Sequence, residues 1–268
     1  MRLLPERIWH HGNSCWKPLL WIGLSPALLY MATGAFAAEP TRRITVAAFS
    51  SAPLAEGLSD GWQHRTFPGR ERHTRYDRVL NHSQPALRAV SKASSSMLVR
   101  KIQVDPERFP WICWQWKVTV PIRGENVRVK EGDDYAARVY ITFEVDSAKL
   151  SPMEKLKRGV AGALFGEDLP YRAINYIWSL HEPEDTMVPN PYTESAMMIV
   201  ATNGMGRLGS WISVRRNIVD DYRRAFGEKP PGITGFAVMT DSDDTGDAAT
   251  AYYGDIFLSS EPPPLPTP

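Results

Sequence analysis

The feature of this sequence that most constrains its fold is the recurrence of apolar residues at every second position. The pattern is clearest over residues 135–145, where apolar side chains alternate with Arg138, Tyr140, Thr142 and Glu144. Successive side chains of a β-strand point to opposite faces of the sheet. We therefore predict a strand with one face in the core and a polar face that is turned away from it.

The same two-residue period occurs in nine further segments between residues 43 and 258. We expect 86–90 and 97–104 to pair with each other across a serine-rich turn. The complete set of predicted strands is 44–49, 86–90, 97–104, 111–120, 135–145, 173–180, 196–202, 211–219, 233–239 and 249–258.

Two short helices are predicted between the strands. The first begins at Ser151, with Pro152 and Glu154 in the positions of a capping box, and ends at Gly166. The second covers residues 220–226. Many strands and few helices indicate a mostly β fold, an antiparallel β-sandwich with two short helices.

An uncharged stretch precedes the strands, over residues 19–38. It follows Arg7 and Lys17 and ends in small residues at Ala38. A basic start, an apolar middle and small residues at the end are typical of a secretory signal peptide. The alternative is an uncleaved transmembrane anchor, which Pro26 disfavours because it interrupts a continuous span.

The leader divides the chain into three predicted parts. Residues 1–38 are the signal peptide, cut after Ala37 or Ala38, and residues 39–260 are the β-sandwich domain. Residues 261–268 form a disordered proline-rich tail, because proline lacks the amide donor that a sheet needs. We expect a periplasmic or secreted protein that keeps no stable membrane span after cleavage.

Charge and cysteine content exclude several classes of function. Removing the leader leaves 31 − 3 = 28 basic and 30 − 1 = 29 acidic residues, a net charge of −1, so no basic surface is predicted for nucleic acid. Cys113 is the single cysteine of the mature chain, so no intrachain disulfide can form. It lies in an apolar run, and we predict a buried, unreactive thiol.

Five separated motifs occur in order along the chain: WQWKV at 114–118, EGDDYAARVY at 131–140, YIW at 176–178, DSDDTG at 241–246 and YYGDI at 252–256. In these motifs the chain resembles the bacterial family called domain of unknown function 3047 (DUF3047), over roughly residues 44–260. The resemblance implies a jelly-roll sandwich similar to galactose-binding-like and carbohydrate-binding modules. It implies no particular activity, because fold alone does not fix function.

A polar cluster accompanies the best predicted strand. Asp134 comes just before that strand, and Arg138, Tyr140 and Glu144 lie on its polar face. These groups could donate and accept hydrogen bonds with a hydroxylated ligand such as a carbohydrate. The alternative is a structural ion pair beneath a loop, since such networks resemble binding sites.

Tryptophan and tyrosine residues offer a second candidate surface. Trp114 and Trp116 share the apolar face of their strand, so we place them in the core. Tyr176 and Trp178 alternate with Ile177. We predict that these two rings form an exposed platform on which a sugar could stack.

An acidic segment near the end of the domain is the candidate metal site. Asp241, Asp243 and Thr245 place oxygen atoms at alternate positions, and Asp255 could add another from the last strand. Calcium prefers such oxygen ligands, although Tyr252 stands where a calcium loop would carry its bidentate glutamate. Calcium is the one cofactor that the sequence indicates, and an acidic turn is the alternative.

The sequence contains no catalytic motif of the Gly-x-Ser-x-Gly or His-Glu-x-x-His type, which also disfavours zinc. The leading hypothesis is a non-catalytic exported module that binds a carbohydrate or another cell-envelope polymer. A second is a glycan-active enzyme in which Asp134 and Glu144 act as acid and base. A third is a structural envelope protein that binds other proteins. The oligomeric state is not determined by these patterns.

Overall fold

A computed structural model describes residues 41–50, 61–81, 83–144 and 172–265 of the chain. All of them belong to the unit Pro40–Pro268. Within these residues no helix is both long enough and apolar enough to cross a bilayer. The described elements are β1 (Arg43–Ala47), β2 (Trp62–Arg65), β3 (Arg75–Asn81), β4 (Gln84–Lys92), β5 (Met97–Val104), β6 (Trp111–Val120), β7 (Arg138–Phe143), β8 (Arg172–Ser179), β9 (Met187–Asn190), β10 (Thr193–Asn203), β11 (Ile212–Asn217), helix α1 (Ile218–Phe226), β12 (Ile233–Met239) and β13 (Ala248–Ser259), with 3-10 turns at Lys130–Gly132 and Met205–Arg207.

The first sheet is built around β13, the longest strand. Its order is β11-β6-β13-β4-β3, and every neighbouring pair is antiparallel. On the side of β13 away from β6, β4 pairs with residues 248–253 and β1 pairs with residues 256–259. The first and last strands of the domain therefore lie side by side, with Arg43 opposite Ser259.

The second sheet has the order β2-β5-β12-β7-β8-β10-β9. Its pairs are antiparallel except for β8 and β10, which run parallel with Ala173 opposite Ala196. The prediction of a mostly β fold with two largely antiparallel sheets is thus confirmed.

The main core lies where the two sheets face each other. Trp114 of β6 contacts Tyr176 of β8 with ring centroids 5.2 Å apart, and Trp116 contacts Trp178 at 6.0 Å. On β7 the alternate residues Val139, Ile141 and Phe143 are buried in the same cluster, as predicted. Aromatic rings contribute the largest apolar areas to such a core.

A second, smaller core covers the outer face of β8. Ile177, Met198 and Val200 point away from the main core and pack with Val127 and Tyr135, which come from the loop between β6 and β7. This loop removes the outer face of the strand from water. As a result β8 is buried on both faces. The strands of a largely antiparallel sheet more often have one face in contact with water.

The predicted pairing of 86–90 with 97–104 is wrong. β4 pairs with β3 and β13 in the first sheet, whereas β5 pairs with β2 and β12 in the second. The chain crosses between the sheets at Ser94, Ser95 and Ser96, which are buried. A serine-rich segment resembles a surface turn in sequence, but here Ser242 accepts a hydrogen bond from the Ser94 amide across the sandwich.

Helix α1 begins two residues before the predicted position. The Asn217 side chain accepts hydrogen bonds from the amides of Val219 and Asp220, and Gly227 ends the helix with a φ of 73°. The last residues of the predicted strand 211–219 therefore belong to the helix. The predicted helix from Ser151 to Gly166 lies outside the described residues, within which α1 is the one α-helix.

Candidate functional site

The pairing of β7 with β12 brings two distant acidic segments together. Met239, at the end of β12, lies opposite Arg138, at the start of β7. The chain before Arg138 and the chain after Met239 therefore leave the sheet at the same end. The two segments are joined by hydrogen bonds from the Tyr135 amide to Asp241 Oδ1 (3.0 Å) and from the Asp241 amide to the Tyr135 carbonyl (3.3 Å).

Arg138 is the buried cation of this end of the sheet. Its guanidinium donates from Nε to Asp241 Oδ1 (2.8 Å), from Nη2 to Asp241 Oδ2 (2.6 Å) and from Nη1 to Asp133 Oδ1 (3.2 Å). Asn190 donates to the other oxygen of Asp133 (2.7 Å), and the Tyr135 ring centroid lies 4.5 Å from Arg138 Cζ. Arg138 is 1% exposed, so the geometry is that of a buried ion-pair network rather than of an open polar cleft.

Burial and charge act in opposite directions on the ionisable groups here. Burial disfavours the charge of Arg138, but the carboxylates of Asp133 and Asp241 hold its pKa well above the usual value. Burial raises the pKa of Asp241 to about 8, although Arg138 favours the charged carboxylate; repulsion from Asp134 and Asp133 adds to the rise. The carboxylates of this cluster therefore repel one another in a desolvated setting.

Asp134 is buried completely beside this network. Its Oδ2 accepts hydrogen bonds from the amide (2.6 Å) and the hydroxyl (2.7 Å) of Thr245, whereas its Oδ1 has no hydrogen-bond partner in the described segments. Oxygen atoms of Asp134, Asp241 and Asp243 all lie within 4.8 Å of one another. Carboxylate oxygens at this separation could together bind a hard cation, which prefers oxygen ligands.

The rim of the cluster is more exposed. Arg70 contacts Asp243 (2.9 Å) and Asp244 (3.1 Å), and the Tyr192 hydroxyl donates to Asp244 Oδ1 (2.8 Å). The Tyr192 side chain is 49% exposed, and Lys130 Nζ lies 5.1 Å from its ring centroid. The cluster is therefore bordered by an accessible aromatic ring and by charges of both signs.

Several members of the site were not among the residues predicted from sequence. Arg70, Asn190 and Tyr192 lie in separate connecting segments or strand ends and carry no local motif. Asp133 lies in the EGDDYAARVY motif, where nothing in the sequence marks it as a partner of Arg138. The tertiary pairing of β7 with β12, together with the packing of β9 and β10, brings these side chains together.

Tyr140 and Glu144 occupy different surroundings along β7. Tyr140 is near the cluster, with Arg138 Nη1 3.4 Å from its hydroxyl. Glu144 lies beyond the opposite end of the strand, about 20 Å from Arg138 at ~3.3 Å per residue. The two carboxylates of a glycosidase stand about 5–9.5 Å apart. The structure therefore does not bring Glu144 together with Asp134 as an acid and base pair.

Glu144 instead borders a separate open pocket of about 350 Å³. Its backbone amide donates to the Gly232 carbonyl (2.8 Å), and its carboxylate lies against the same glycine. The lining residues are Gln103, Val104, Asp105, Pro106, Glu107, Glu144, Pro230, Pro231 and Gly232.

The prediction of an exposed platform at Tyr176 and Trp178 is wrong. The two residues are 0% and 1% exposed, because they face the main core rather than water. Tyr176 donates its hydroxyl to Asp221 of helix α1 (2.8 Å). The prediction took the alternation with Ile177 to separate a buried face from an exposed one. Ile177 is also buried, in the smaller core, so neither face of this strand is exposed.

The four predicted metal ligands are only partly together. Asp241 and Asp243 join Asp134, and Thr245 contacts Asp134, as described above. Asp255 lies about seven residues along β13, roughly 23 Å of extended chain from the start of the strand. Its carboxylate accepts a hydrogen bond from the Ser50 amide (2.8 Å), so it belongs to different surroundings.

The buried Cys113 matches its predicted state. It is a free thiol, and burial raises its pKa to about 11, although Arg215 and Arg43 favour the thiolate. Such a thiol is a poor nucleophile at neutral pH. It contributes to packing on the first sheet and not to the candidate site.

Comparison with known proteins supports the relationship that the motifs indicate. A search of curated proteins found no match. A family model described as "Protein of unknown function (DUF3047)" matches residues 60–257, which is more than half of the chain and includes every residue of the acidic cluster and its rim. The chain therefore belongs to the DUF3047 family.

Proposed function

We propose that this protein is an exported, non-catalytic binding module, of the jelly-roll kind, for a carbohydrate or another cell-envelope polymer. The observation that carries the proposal is the exposed ring of Tyr192, held beside the charged rim formed by Arg70, Asp243, Asp244 and Lys130. An accessible ring can stack on the apolar face of a sugar, and neighbouring charged groups can bond its hydroxyls.

The state of the carboxylates favours binding over hydrolysis. Asp241 is held by Arg138 at two points, and one oxygen of Asp134 is held by Thr245. Acid and base catalysis needs a carboxyl group that can exchange a proton with the substrate. The distance between Asp134 and Glu144 along β7 further disfavours a paired mechanism.

Export and cleavage are proposed from the leader sequence. The basic residues, the uncharged stretch 19–38 and the small residues at its end support a signal peptide. We expect the protein recovered from the periplasm or medium of an expressing bacterium to begin at Ala38 or Glu39, as read by N-terminal sequencing. Recovery from the cytoplasm alone, with the leader intact, would refute this part of the proposal.

The binding test uses an array of envelope polysaccharides and peptidoglycan fragments, followed by calorimetry on any hit. We expect Tyr192→Ala to weaken binding about fivefold to thirtyfold, since stacking on one ring contributes on the order of 1–2 kcal/mol. Met205→Ala is the matched control, because Met205 is 53% exposed and lies in the turn after β10, so that the whole length of that strand separates it from Tyr192. Absence of binding to every polymer, or equal binding by the two variants, would refute the proposed surface.

A further inference from the structure

The buried part of the acidic cluster carries unbalanced negative charge. Among the described residues, Asp133, Asp134 and Asp241 are buried with one buried cation, Arg138, while Asp243 has Arg70 as its partner at the rim. If all three buried carboxylates are ionised, they and the guanidinium carry a formal charge of −2. Buried charge of this size is costly unless a proton or a cation balances it.

Asp134 Oδ1 and Ser95 Oγ are buried oxygen atoms of the cluster that have no hydrogen-bond partner among the described residues. The Asp134 side chain is fully buried, and within the described part of the chain Thr245 donates to its Oδ2 whereas nothing donates to its Oδ1. Ser95 Oγ is also buried and makes no hydrogen bond of normal geometry with any described residue. Burial raises the pKa of the neighbouring Asp243 carboxyl, and the nearby Ser95 hydroxyl opposes part of that rise. Most buried polar atoms in proteins have a hydrogen-bond partner, so two unpartnered oxygen atoms beside clustered carboxylates are available to bind a ligand.

We propose that Asp134, Asp241, Asp243 and Ser95 bind a calcium ion. Asp134 supplies Oδ1, Asp241 and Asp243 each supply a carboxylate oxygen, and Ser95 supplies its hydroxyl. Calcium takes 6–8 oxygen ligands, and water completes the set through the partly exposed side of Asp243. A charge of +2 balances the −2 of the buried carboxylates.

Thr245 and Arg138 have positioning roles in this site. Thr245 holds one oxygen of Asp134, which turns the other toward the neighbouring carboxylates. Arg138 fixes the orientation of Asp241 through two hydrogen bonds. Partners of this kind keep ligand oxygens in place before the ion binds. The site stands on these contacts and does not depend on the binding of a carbohydrate.

The test is calorimetric titration of Ca²⁺ into the full protein after treatment with EDTA. We expect saturable binding with a dissociation constant of about 1 mM or tighter, the range of extracellular calcium modules. We expect Asp134→Asn to weaken binding at least about tenfold, because the amide still accepts from Thr245 but has lost the charge. Asp255→Asn is the matched control and should bind within about twofold of the parent, since its carboxylate contacts Ser50 elsewhere.

A second variant keeps the proposal testable if Asp134→Asn does not fold by circular dichroism. Ser95→Ala removes one neutral ligand and should weaken Ca²⁺ binding about threefold or more. No saturable binding up to about 10 mM Ca²⁺ would overturn the proposal. Equal affinity in the site variants and in Asp255→Asn would overturn it as well, and would indicate that a proton balances the cluster.

Discussion

Arg138 holds the carboxylate of Asp241 at two points, with Nε 2.8 Å from Oδ1 and Nη2 2.6 Å from Oδ2. The first residue of β7 and the segment after β12 are thereby joined through side chains as well as through the sheet. A substitution of Arg138 would therefore leave the buried carboxylate of Asp241 without its cation.

Arg138→Met should therefore be strongly destabilising. Removing one partner of a buried ion pair typically costs about 3–5 kcal/mol, because the remaining charges stay buried. Urea unfolding measures the change, with Arg207→Ala as control. Arg207 pairs with Glu184 at the surface, and its loss should cost less than about 1 kcal/mol. Similar values for the two variants would show that the Arg138 network adds no stability.

Glu125 should make stability depend on pH. It is buried and accepts hydrogen bonds from Ser179, Leu180 and His181, yet burial raises its pKa. The folded state thus binds a proton more tightly than the unfolded state. The favourable contribution of Glu125 to the free energy of unfolding is complete below the ordinary carboxyl pKa of about 4.3. It is lost as the pH rises through the raised pKa of the folded state.

The measurement for Glu125 is urea unfolding of the parent and of Glu125→Gln between about pH 4 and pH 8. The variant keeps an accepting oxygen without the charge, so its stability relative to the parent should increase with pH. Glu107→Gln, an exposed site paired with Lys229, should show no such trend. A difference that stays constant or decreases with pH would contradict the raised pKa.

Cys113 should resist alkylation while the protein is folded. With a pKa of about 11, only about 0.1% of the thiol is ionised at pH 8, and the thiolate is the reactive form. Mass spectrometry of the Cys113 peptide after iodoacetamide treatment should show little label in buffer and complete label in denaturant. Rapid labelling of the native protein would mean that the thiol is accessible.

Thr202→Val should destabilise the aromatic core without changing its shape. The Trp116 indole N–H donates to Thr202 Oγ1 (3.0 Å) in a buried setting, and valine cannot accept this bond. Leaving the indole N–H unpaired should cost about 1–3 kcal/mol. Thr193→Val, at the exposed start of β10, is the control and should change the unfolding free energy by less than about 0.5 kcal/mol. Equal changes in the two variants would show that the hydrogen bond from Trp116 to Thr202 does not stabilise the core.

The strands that could be predicted from sequence are those with a long, regular alternation. β5, β6 and β12 have the predicted bounds, and the buried face of β7 is correct. The strands that were missed, β2, β3 and β9, are short or rich in polar residues, so their apolar period is weak.

Burial of both faces of β8 could not be predicted from the sequence of that strand alone. Ile177 is covered by Val127 and Tyr135, which lie more than forty residues earlier in the chain. The sequence pattern therefore predicts a surface position for Tyr176 and Trp178.

The acidic residues are predicted as functional from sequence, but Asp134 and Asp241 fall in two separate predicted sites. Only the pairing of β7 with β12 joins them.

The position of β13 has a consequence for when this protein can fold. β13 is the central strand of the first sheet and is synthesised last among the described strands. β1, β4 and β6 cannot pair with it before then. Contacts between residues so distant in sequence form slowly. A chain that lacks β13 has no strand to join β6 to β4, so the first sheet cannot close until that strand is available.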